Sequence, residues 1–173
     1  MNSVTLIFGK RGSGKTTLCK KLLEKINRKI VIDYIGEYQG TIVNDEISLL
    51  NEIRKNPKRF DIVIRLKEKR DNIFTVLNSM TNYTLIVEEL SLYCNPHNIE
   101  PGLYGIIAYG RHKNISFIGI SQRPAQINRL ITSQATAIFT FRQVEPIDVK
   151  YLETFGFESI NKLPQYQYQR KDF

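Results

Sequence analysis

Residues 7–18, IFGKRGSGKTTL, place three glycines and three cationic side chains between an apolar run and the start of a helical pattern. Gly9, four further residues and then Gly14-Lys15-Thr16 complete the P-loop pattern. That pattern is specific when a strand precedes it and a helix follows it, as the neighbouring residues predict here. The stretch therefore predicts a phosphate-binding loop between the first strand and the first helix of the chain.

The chemistry expected of this loop comes from its backbone and from two side chains. Glycines let main-chain N–H groups approach a phosphate closely, and a helix N-terminus adds partial positive charge. Lys15 is predicted to reach the β- and γ-phosphates of ATP, and the Thr16 hydroxyl is predicted to ligate Mg²⁺. The predicted nucleotide contacts are Gly9, Arg11, Gly12, Ser13, Gly14, Lys15, Thr16 and Thr17.

Composition limits the classes of protein to which the sequence can belong. Its 173 residues suit one domain spanning 1–173, and an apolar fraction of 42% is typical of globular chains. No apolar run reaches the ~18 residues that span a bilayer. The two cysteines lie outside any metal-binding spacing, which favours a reduced, cytoplasmic setting, and Cys19 is expected to be a small buried hydrophobe. A net charge of +8 favours a polyanionic partner.

Strand-like and helix-like patterns alternate along the chain. The predicted strands are 3–8, 29–34, 60–66, 83–90, 115–122 and 135–141. The predicted helices begin near residues 15, 47, 73 and 103 and at Pro124 and Pro146, and the fourth is expected to run into Arg111. Continuous apolar strands separated by amphipathic helices predict an α/β fold, with a mostly parallel sheet and helices on both faces.

A pair of carboxylates, Glu88 and Glu89, follows the apolar run TLIV. In open parallel sheets, ligands bind beyond the carboxyl ends of the strands, so this pair is expected to face the phosphate loop. Glu88 is predicted to hold Mg²⁺, and Glu89 is predicted to orient and polarise the attacking water. An activated water favours hydrolysis over phosphoryl transfer to a second substrate, and no arginine-rich lid insertion is visible. A solvated strand end is the alternative.

Two further polar residues lie later in the chain. Gln122 closes a predicted strand, where its amide is expected to contact the γ-phosphate or the attacking water; a simple polar strand end is the alternative. Arg111 extends the predicted stripe of the fourth helix, either as a cation that stabilises the helix dipole or as an arginine finger for a neighbouring subunit. Arg123 and Arg142 are rival finger candidates.

Five segments in order, GKRGSGKT, DYIGEY, LIVEE, YGRHKNISFIGISQRPAQINR and FRQVEPIDVKYL, resemble the FtsK–HerA superfamily of P-loop ATPases, and especially its small viral and mobile-element members. The resemblance implies a RecA-like (ASCE) P-loop NTPase fold. It also implies Walker A roles for Lys15 and Thr16, Walker B roles for Glu88 and Glu89, a sensor role for Gln122, and a position for Arg111 at which trans-acting fingers occur.

The same resemblance implies a homo-oligomeric ring, usually hexameric, that moves double-stranded DNA, most simply as a viral genome-packaging motor with a capsid or membrane-associated viral partner. Such a protein is expected in the host cytoplasm or on the virion. A small-molecule phosphotransferase and a membrane-docked assembly or secretion ATPase are the alternatives. Candidate DNA contacts are Lys67, Lys69, Arg70, Lys113 and Arg129.

Overall fold

The computed structural model of the chain describes residues 3–66 and 72–173, which form eight β-strands and six α-helices. The strands are β1 (Val4–Phe8), β2 (Arg28–Ile32), β3 (Thr41–Val43), β4 (Phe60–Ile64), β5 (Tyr83–Val87), β6 (Ile115–Ser121), β7 (Ala137–Phe141) and β8 (Tyr168–Asp172). The helices are α1 (Lys15–Leu23), α2 (Glu46–Lys55), α3 (Asn72–Ser79), α4 (Pro101–Tyr109), α5 (Arg129–Ser133) and α6 (Pro146–Glu153).

The strands form one sheet in the order β3-β4-β2-β5-β6-β1-β7-β8. All neighbouring strands run parallel except β8, which is antiparallel to β7. Because β1 and β5 flank β6, the residues that follow these three strands emerge side by side at one edge of the sheet. This confirms the predicted α/β fold class, and it brings the phosphate loop, the paired carboxylates and Gln122 to the same edge.

Two apolar layers cover the two faces of the sheet. On one face, Leu18, Cys19 and Leu23 of α1 pack against strand residues such as Ile7 and Val31. On the other face, the buried side chains of the remaining helices form the larger layer. Helices therefore lie on both faces, as predicted; in the described part of the chain, α1 packs on the first face and α2 to α6 pack on the second. Cys19 is fully buried, as expected for a small apolar side chain.

Helix boundaries follow from local hydrogen bonding. The Asp45 side chain accepts a hydrogen bond from the Ser48 N–H and begins α2. Glu100 accepts from the first N–H groups of α4, with Pro101 at a position where no N–H is needed. Across the described ranges, no helix has the length and hydropathy that would be needed to cross a bilayer.

Several element boundaries predicted from the sequence were wrong. The fifth strand in chain order, expected over 83–90, ends at Val87, because Glu89 adopts a left-handed backbone conformation with φ 57°. The helix expected to run into Arg111 ends at Tyr109, and Arg111 lies in the following 3₁₀ turn, Gly110–Lys113. That turn ends at Asn114, whose left-handed conformation leads the chain into β6.

The helix predicted from Pro124 is interrupted. A 3₁₀ turn over Pro124–Gln126 is followed by extended backbone at Ile127, and Asn128 then caps the separate helix α5 by accepting from the Leu130 N–H. Two strands were missed by the sequence prediction: the three-residue edge strand β3, and the mostly exposed β8 at the other edge.

Candidate active site

The phosphate loop lies between β1 and α1 and requires glycine at two positions for different reasons. Gly14 is the N-cap of α1 with φ 103°, a left-handed conformation that suits glycine. A Cβ added at Gly9 would approach Ser13 Oγ to 2.5 Å and Phe141 Cβ to 2.8 Å. No side chain caps α1, so the first N–H groups of the helix stay available to an anion.

Two polar groups of the loop, Ser13 Oγ and Lys15 Nζ, are suited to bind a phosphate. Ser13 Oγ is buried and has no hydrogen-bond partner among the described residues. Lys15 is only 9% exposed, and its Nζ donates to the Lys10 carbonyl at 2.9 Å. Burial lowers the pKa of Lys15, and the nearby carboxylates, led by Glu88, counteract part of that shift. A phosphate group would accept a hydrogen bond from the Ser13 hydroxyl and would pair with the positive charge of Lys15.

Glu88 is held from two sides. Thr16 Oγ1 donates to its Oε1 at 3.1 Å, and the Tyr38 hydroxyl donates to its Oε2 at 2.8 Å. The side chain is buried, which raises the pKa of Glu88, while the hydrogen bonds from Tyr38 and Thr16 act in the opposite direction. The carboxylate is therefore fixed in position beside the hydroxyl of the phosphate loop.

The Glu89 carboxylate makes a different set of contacts from that of Glu88. Ser91 Oγ donates to its Oε1 at 2.6 Å, and Gln122 Nε2 donates to its Oε2 at 3.0 Å. The Gln122 carbonyl in turn accepts from Nε2 of the buried Gln143 at 3.3 Å. The left-handed backbone of Glu89 directs the two consecutive carboxylates to different partners, which is the separation that different roles require.

The loop after β2 was not assigned a role from the sequence, although it supplies Tyr38. The fully buried Asp33 accepts hydrogen bonds from the N–H groups of Gly36, Glu37 and Tyr38 at 2.7, 3.1 and 2.9 Å. Arg65 lies 3.5 Å from the same carboxylate and donates to the Tyr38 carbonyl. In the sequence, this loop was indicated by an aspartate at the end of a predicted strand with a tyrosine five residues later.

These elements surround one cleft of about 510 Å³, the phosphate cleft. Its walls include the predicted residues Arg11, Gly12, Gly14, Lys15, Thr16 and Thr17 of the phosphate loop. Its walls also include Glu88, Glu89 and Gln122, together with Glu37, Ile35 and Tyr166, which the sequence had not indicated. Gly9 and Ser13 belong to the same loop, so the structure brings together all the predicted site residues except Arg111.

Arg111 lies elsewhere. It follows α4 and precedes β6, which places it at the amino edge of the sheet, whereas Gln122 lies just beyond the carboxyl end of the same strand. The length of β6, about 20 Å at ~3.3 Å per residue, separates the two positions. The exposed Arg111 contacts His112 through its Nε at 3.3 Å and is not among the residues that line the cleft of its own chain.

The rival arginines and two of the candidate DNA contacts, Lys113 and Arg129, have partners within the chain. Arg123 pairs with the buried Asp148 at 2.5 Å, and Arg142 Nε donates to the Asn161 carbonyl. Lys113 Nζ donates to Asn78, and Arg129 stacks on the Tyr151 ring with its guanidinium 4.0 Å from the centroid. Lys67, Lys69 and Arg70 lie outside the described residues.

The donor set fits a magnesium ion that is bound together with phosphates. The Thr16 hydroxyl and the Glu88 carboxylate are hard oxygen ligands already 3.1 Å apart. Mg²⁺ is usually held by one or two such groups plus substrate phosphates and waters. Residues 3–66 and 72–173 contain no cluster of three or more His, Cys, Asp or Glu side chains that could hold a metal ion.

No protein-family model matches the sequence, and no curated protein matches it significantly. Solved structures do resemble the fold. The genome packaging NTPase B204 from Sulfolobus turreted icosahedral virus 2, in complex with AMP, gives a TM-score of 0.80 at 22% identity over 99% of this chain and 92% of that one. The DNA-packaging ATPase B204 from Sulfolobus Turreted Icosahedral Virus gives 0.77 at 21% identity, over 99% and 94% of the two chains.

A larger protein also resembles the chain. The pCW3 conjugation coupling protein TcpA, with bound ATPγS, gives a TM-score of 0.64 at 13% identity, over 99% of this chain and 58% of that one. These likenesses confirm the predicted P-loop NTPase fold, which is the fold that the resemblance of the sequence to FtsK–HerA ATPases implied.

Proposed function

We propose that the chain is an ATP-hydrolysing motor that acts as a homo-oligomeric ring and translocates double-stranded DNA, most simply during packaging of a viral genome. The proposal rests on one observation above the others. A phosphate loop, a buried carboxylate beside its threonine, and a second carboxylate tied to a strand-end glutamine line the same cleft.

Each residue of the cleft has a distinct task in this proposal. Lys15 and the N–H groups at the start of α1 bind the phosphates, and Thr16 with Glu88 holds Mg²⁺, which supplies charge neutralisation to the phosphates when bound. Glu89 accepts a proton from the attacking water, and Gln122 holds Glu89 in place through its 3.0 Å hydrogen bond. The adenine nucleotides bound by the similar packaging NTPase favour ATP as the substrate.

The ring and its partners are supported by Arg111 and by the similarity to packaging NTPases. An arginine far from the cleft of its own subunit contributes to hydrolysis only if a neighbouring copy presents it, which requires a head-to-tail contact between subunits such as a closed ring provides. A net charge of +8 suits a DNA backbone. Action on the virion or in the host cytoplasm, beside a capsid or membrane-associated viral protein, is part of the same proposal.

The test is the ATPase rate per subunit against protein concentration, with and without double-stranded DNA. We expect the rate per subunit to rise as the ring assembles, DNA to stimulate it, and free phosphate to be the product. Glu89→Gln serves as the control for contaminating ATPase. A full rate from the monomer contradicts the ring, and a phosphorylated acceptor in place of free phosphate supports the phosphotransferase instead. Absence of DNA stimulation favours an assembly or secretion ATPase.

A further inference from the structure

A second cleft of about 730 Å³ opens beside the phosphate cleft, along the exposed side of α1. Its walls include Lys21, Glu24, Phe141 and Tyr168. Gly14, Thr17 and Tyr166 line both clefts, so the two spaces meet at these three residues. The second cleft includes none of the carboxylates or the glutamine expected to act on the terminal phosphate.

This arrangement sets the direction in which a bound nucleotide extends. Glu88, Glu89 and Gln122 mark the end of the phosphate cleft at which the terminal phosphate reacts. With the terminal phosphate at the carboxylates, we expect the phosphate chain to run along the loop toward Gly14 and Thr17, where the two clefts meet, and the nucleoside to lie on the side away from the carboxylates. The second cleft is the space that begins there.

Tyr166 stands at the junction of the two clefts in an unfavourable backbone conformation. The Gln167 N–H donates to the Pro164 carbonyl at 3.3 Å, which makes Pro164–Gln167 a turn with Tyr166 at its third position. Its φ of 66° is one that glycine or asparagine normally occupies in such turns. A strained aromatic residue in a cleft is a reason to look for a function of its side chain.

The ring of Tyr166 is both exposed and close to the phosphate loop. The residue is 65% exposed, and a Cβ added at Gly14 would lie 3.6 Å from its Cδ1. The neighbouring Tyr168 is instead packed on Phe139 and Phe141, with ring centroids 5.6 and 5.5 Å apart. Tyr166 therefore presents an aromatic surface at the place where the nucleoside enters the second cleft.

We propose that the second cleft binds the purine base of the nucleotide and that Tyr166 stacks on it, an inference that rests on the proposed nucleotide-binding function. Stacking on a tyrosine ring tolerates different bases, because every base has a π-face. The polar side chains that line the second cleft include Lys20, Lys21 and Glu24, which are exposed at the surface of α1 and its C-cap. Tyr166 thus contributes to the affinity for adenine and guanine nucleotides alike.

The proposal also gives the C-terminal residues a task in the site. The turn that carries Tyr166 leads directly into β8, the antiparallel strand added at the edge of the sheet beside β7. The backbone hydrogen bonds between β7 and β8 therefore help to fix the position of Tyr166 relative to Gly14. A strand that the sequence prediction missed becomes one wall of the nucleotide site.

The experiment measures binding of ADP, GDP and inorganic tripolyphosphate by calorimetry. We expect Tyr166→Gly, which removes the ring and suits the turn, to weaken ADP and GDP binding roughly 5- to 100-fold. Tripolyphosphate binding and the thermal unfolding midpoint should not fall, and Tyr166→Phe should retain nucleotide affinity. Tyr109→Ala, which removes another exposed tyrosine ring at the far edge of the sheet, is the matched control and should bind all three ligands normally.

The outcomes separate this inference from the proposed function. If the wild-type chain binds neither tripolyphosphate nor ADP, the proposed function and the base site fail together. If it binds both and Tyr166→Gly leaves ADP affinity unchanged, only the base site is wrong. If Tyr166→Gly weakens tripolyphosphate and ADP equally, Tyr166 supports the phosphate loop and does not stack on a base.

Discussion

The Tyr38 hydroxyl donates a 2.8 Å hydrogen bond to Glu88 Oε2, on the opposite side of the carboxylate from the 3.1 Å hydrogen bond made by Thr16. The position of the buried Glu88 is therefore set by two loops that follow different strands. Asp33 fixes the loop of Tyr38 through three backbone N–H groups, so the orientation of the proposed metal ligand depends on a buried aspartate at the end of β2.

Tyr38→Phe is expected to weaken the response to Mg²⁺ more than the binding of nucleotide alone. The substitution leaves Glu88 Oε2 buried without its donor, and loss of a residue that orients a metal ligand commonly costs about 10- to 100-fold in metal affinity or activity. The measurement is the Mg²⁺ concentration that gives half-maximal ATPase activity. A value equal to that of the wild type would contradict the orienting role.

Tyr83→Phe is the matched control for this substitution. Tyr83 is also buried, and its hydroxyl donates to the Leu77 carbonyl at 2.6 Å, away from the cleft. Both variants lose one buried hydrogen bond, worth about 1 kcal/mol of folding free energy. Only Tyr38→Phe should shift the Mg²⁺ dependence, which separates the effect on Glu88 from a general loss of stability.

Glu89→Gln should reduce ATP hydrolysis by about 10²- to 10⁴-fold while nucleotide binding persists, because the amide cannot accept a proton from water. Gln122→Ala should also slow hydrolysis, by a smaller factor, since Glu89 keeps its 2.6 Å hydrogen bond from Ser91. Single-turnover rates and ADP affinity measure the two effects separately. Gln126→Ala, at an exposed glutamine outside the cleft, should match the wild type, and a similar loss there would contradict the role of Gln122.

The sequence was sufficient to predict the parts of the site that depend on local patterns. Glycine spacing marks the phosphate loop, and carboxylates after an apolar run mark the end of a buried strand, so Lys15, Thr16, Glu88 and Glu89 were all indicated. The parallel sheet then brings these segments together at one edge. This much follows from periodicity and from the geometry of α/β sheets.

The contacts that were missed depend on tertiary structure. Tyr38 reaches Glu88 only because β2 pairs with β5, and no local pattern specifies that neighbour. The strand β8 is mostly exposed and polar, so it lacks the apolar run by which strands are recognised, and its pairing with β7 carries Tyr166 to the cleft. The end of the helix expected to reach Arg111 was mispredicted, because an apolar stripe does not indicate where a helix changes to a 3₁₀ turn.

Arg111→Ala should abolish most ring-dependent hydrolysis without changing nucleotide affinity, because its side chain lies at the sheet edge opposite the cleft of its own subunit. An arginine finger is worth about 10³-fold or more in rate. Arg54→Ala, at an exposed arginine on α2, is the matched control and should retain the full rate. The measurement is the ATPase rate at a concentration at which the wild-type ring is assembled.

Mixing inactive variants tests whether Arg111 acts on a neighbouring subunit. Arg111→Ala retains an intact cleft, and Lys15→Ala retains an intact arginine. In a randomly mixed ring of equal amounts, about one interface in four combines the intact cleft with the intact arginine. The mixture should therefore recover activity that neither variant has alone. A mixture as inactive as its components would show that Arg111 does not complete a neighbour's site.

Cys19 should resist thiol reagents and should link folding stability to alkaline pH. Burial raises the pKa of Cys19 from 9.0 to about 12, so the folded chain keeps this proton where the unfolded chain releases it. The resulting stabilisation is complete below pH 9 and decreases as the pH rises toward 12, by about 1 kcal/mol between pH 9 and 10. Urea unfolding of the wild type and Cys19→Ala across this range should show their difference in unfolding free energy shrinking with pH. Rapid labelling of Cys19 in the folded chain at pH 8 would contradict its burial between α1 and the sheet.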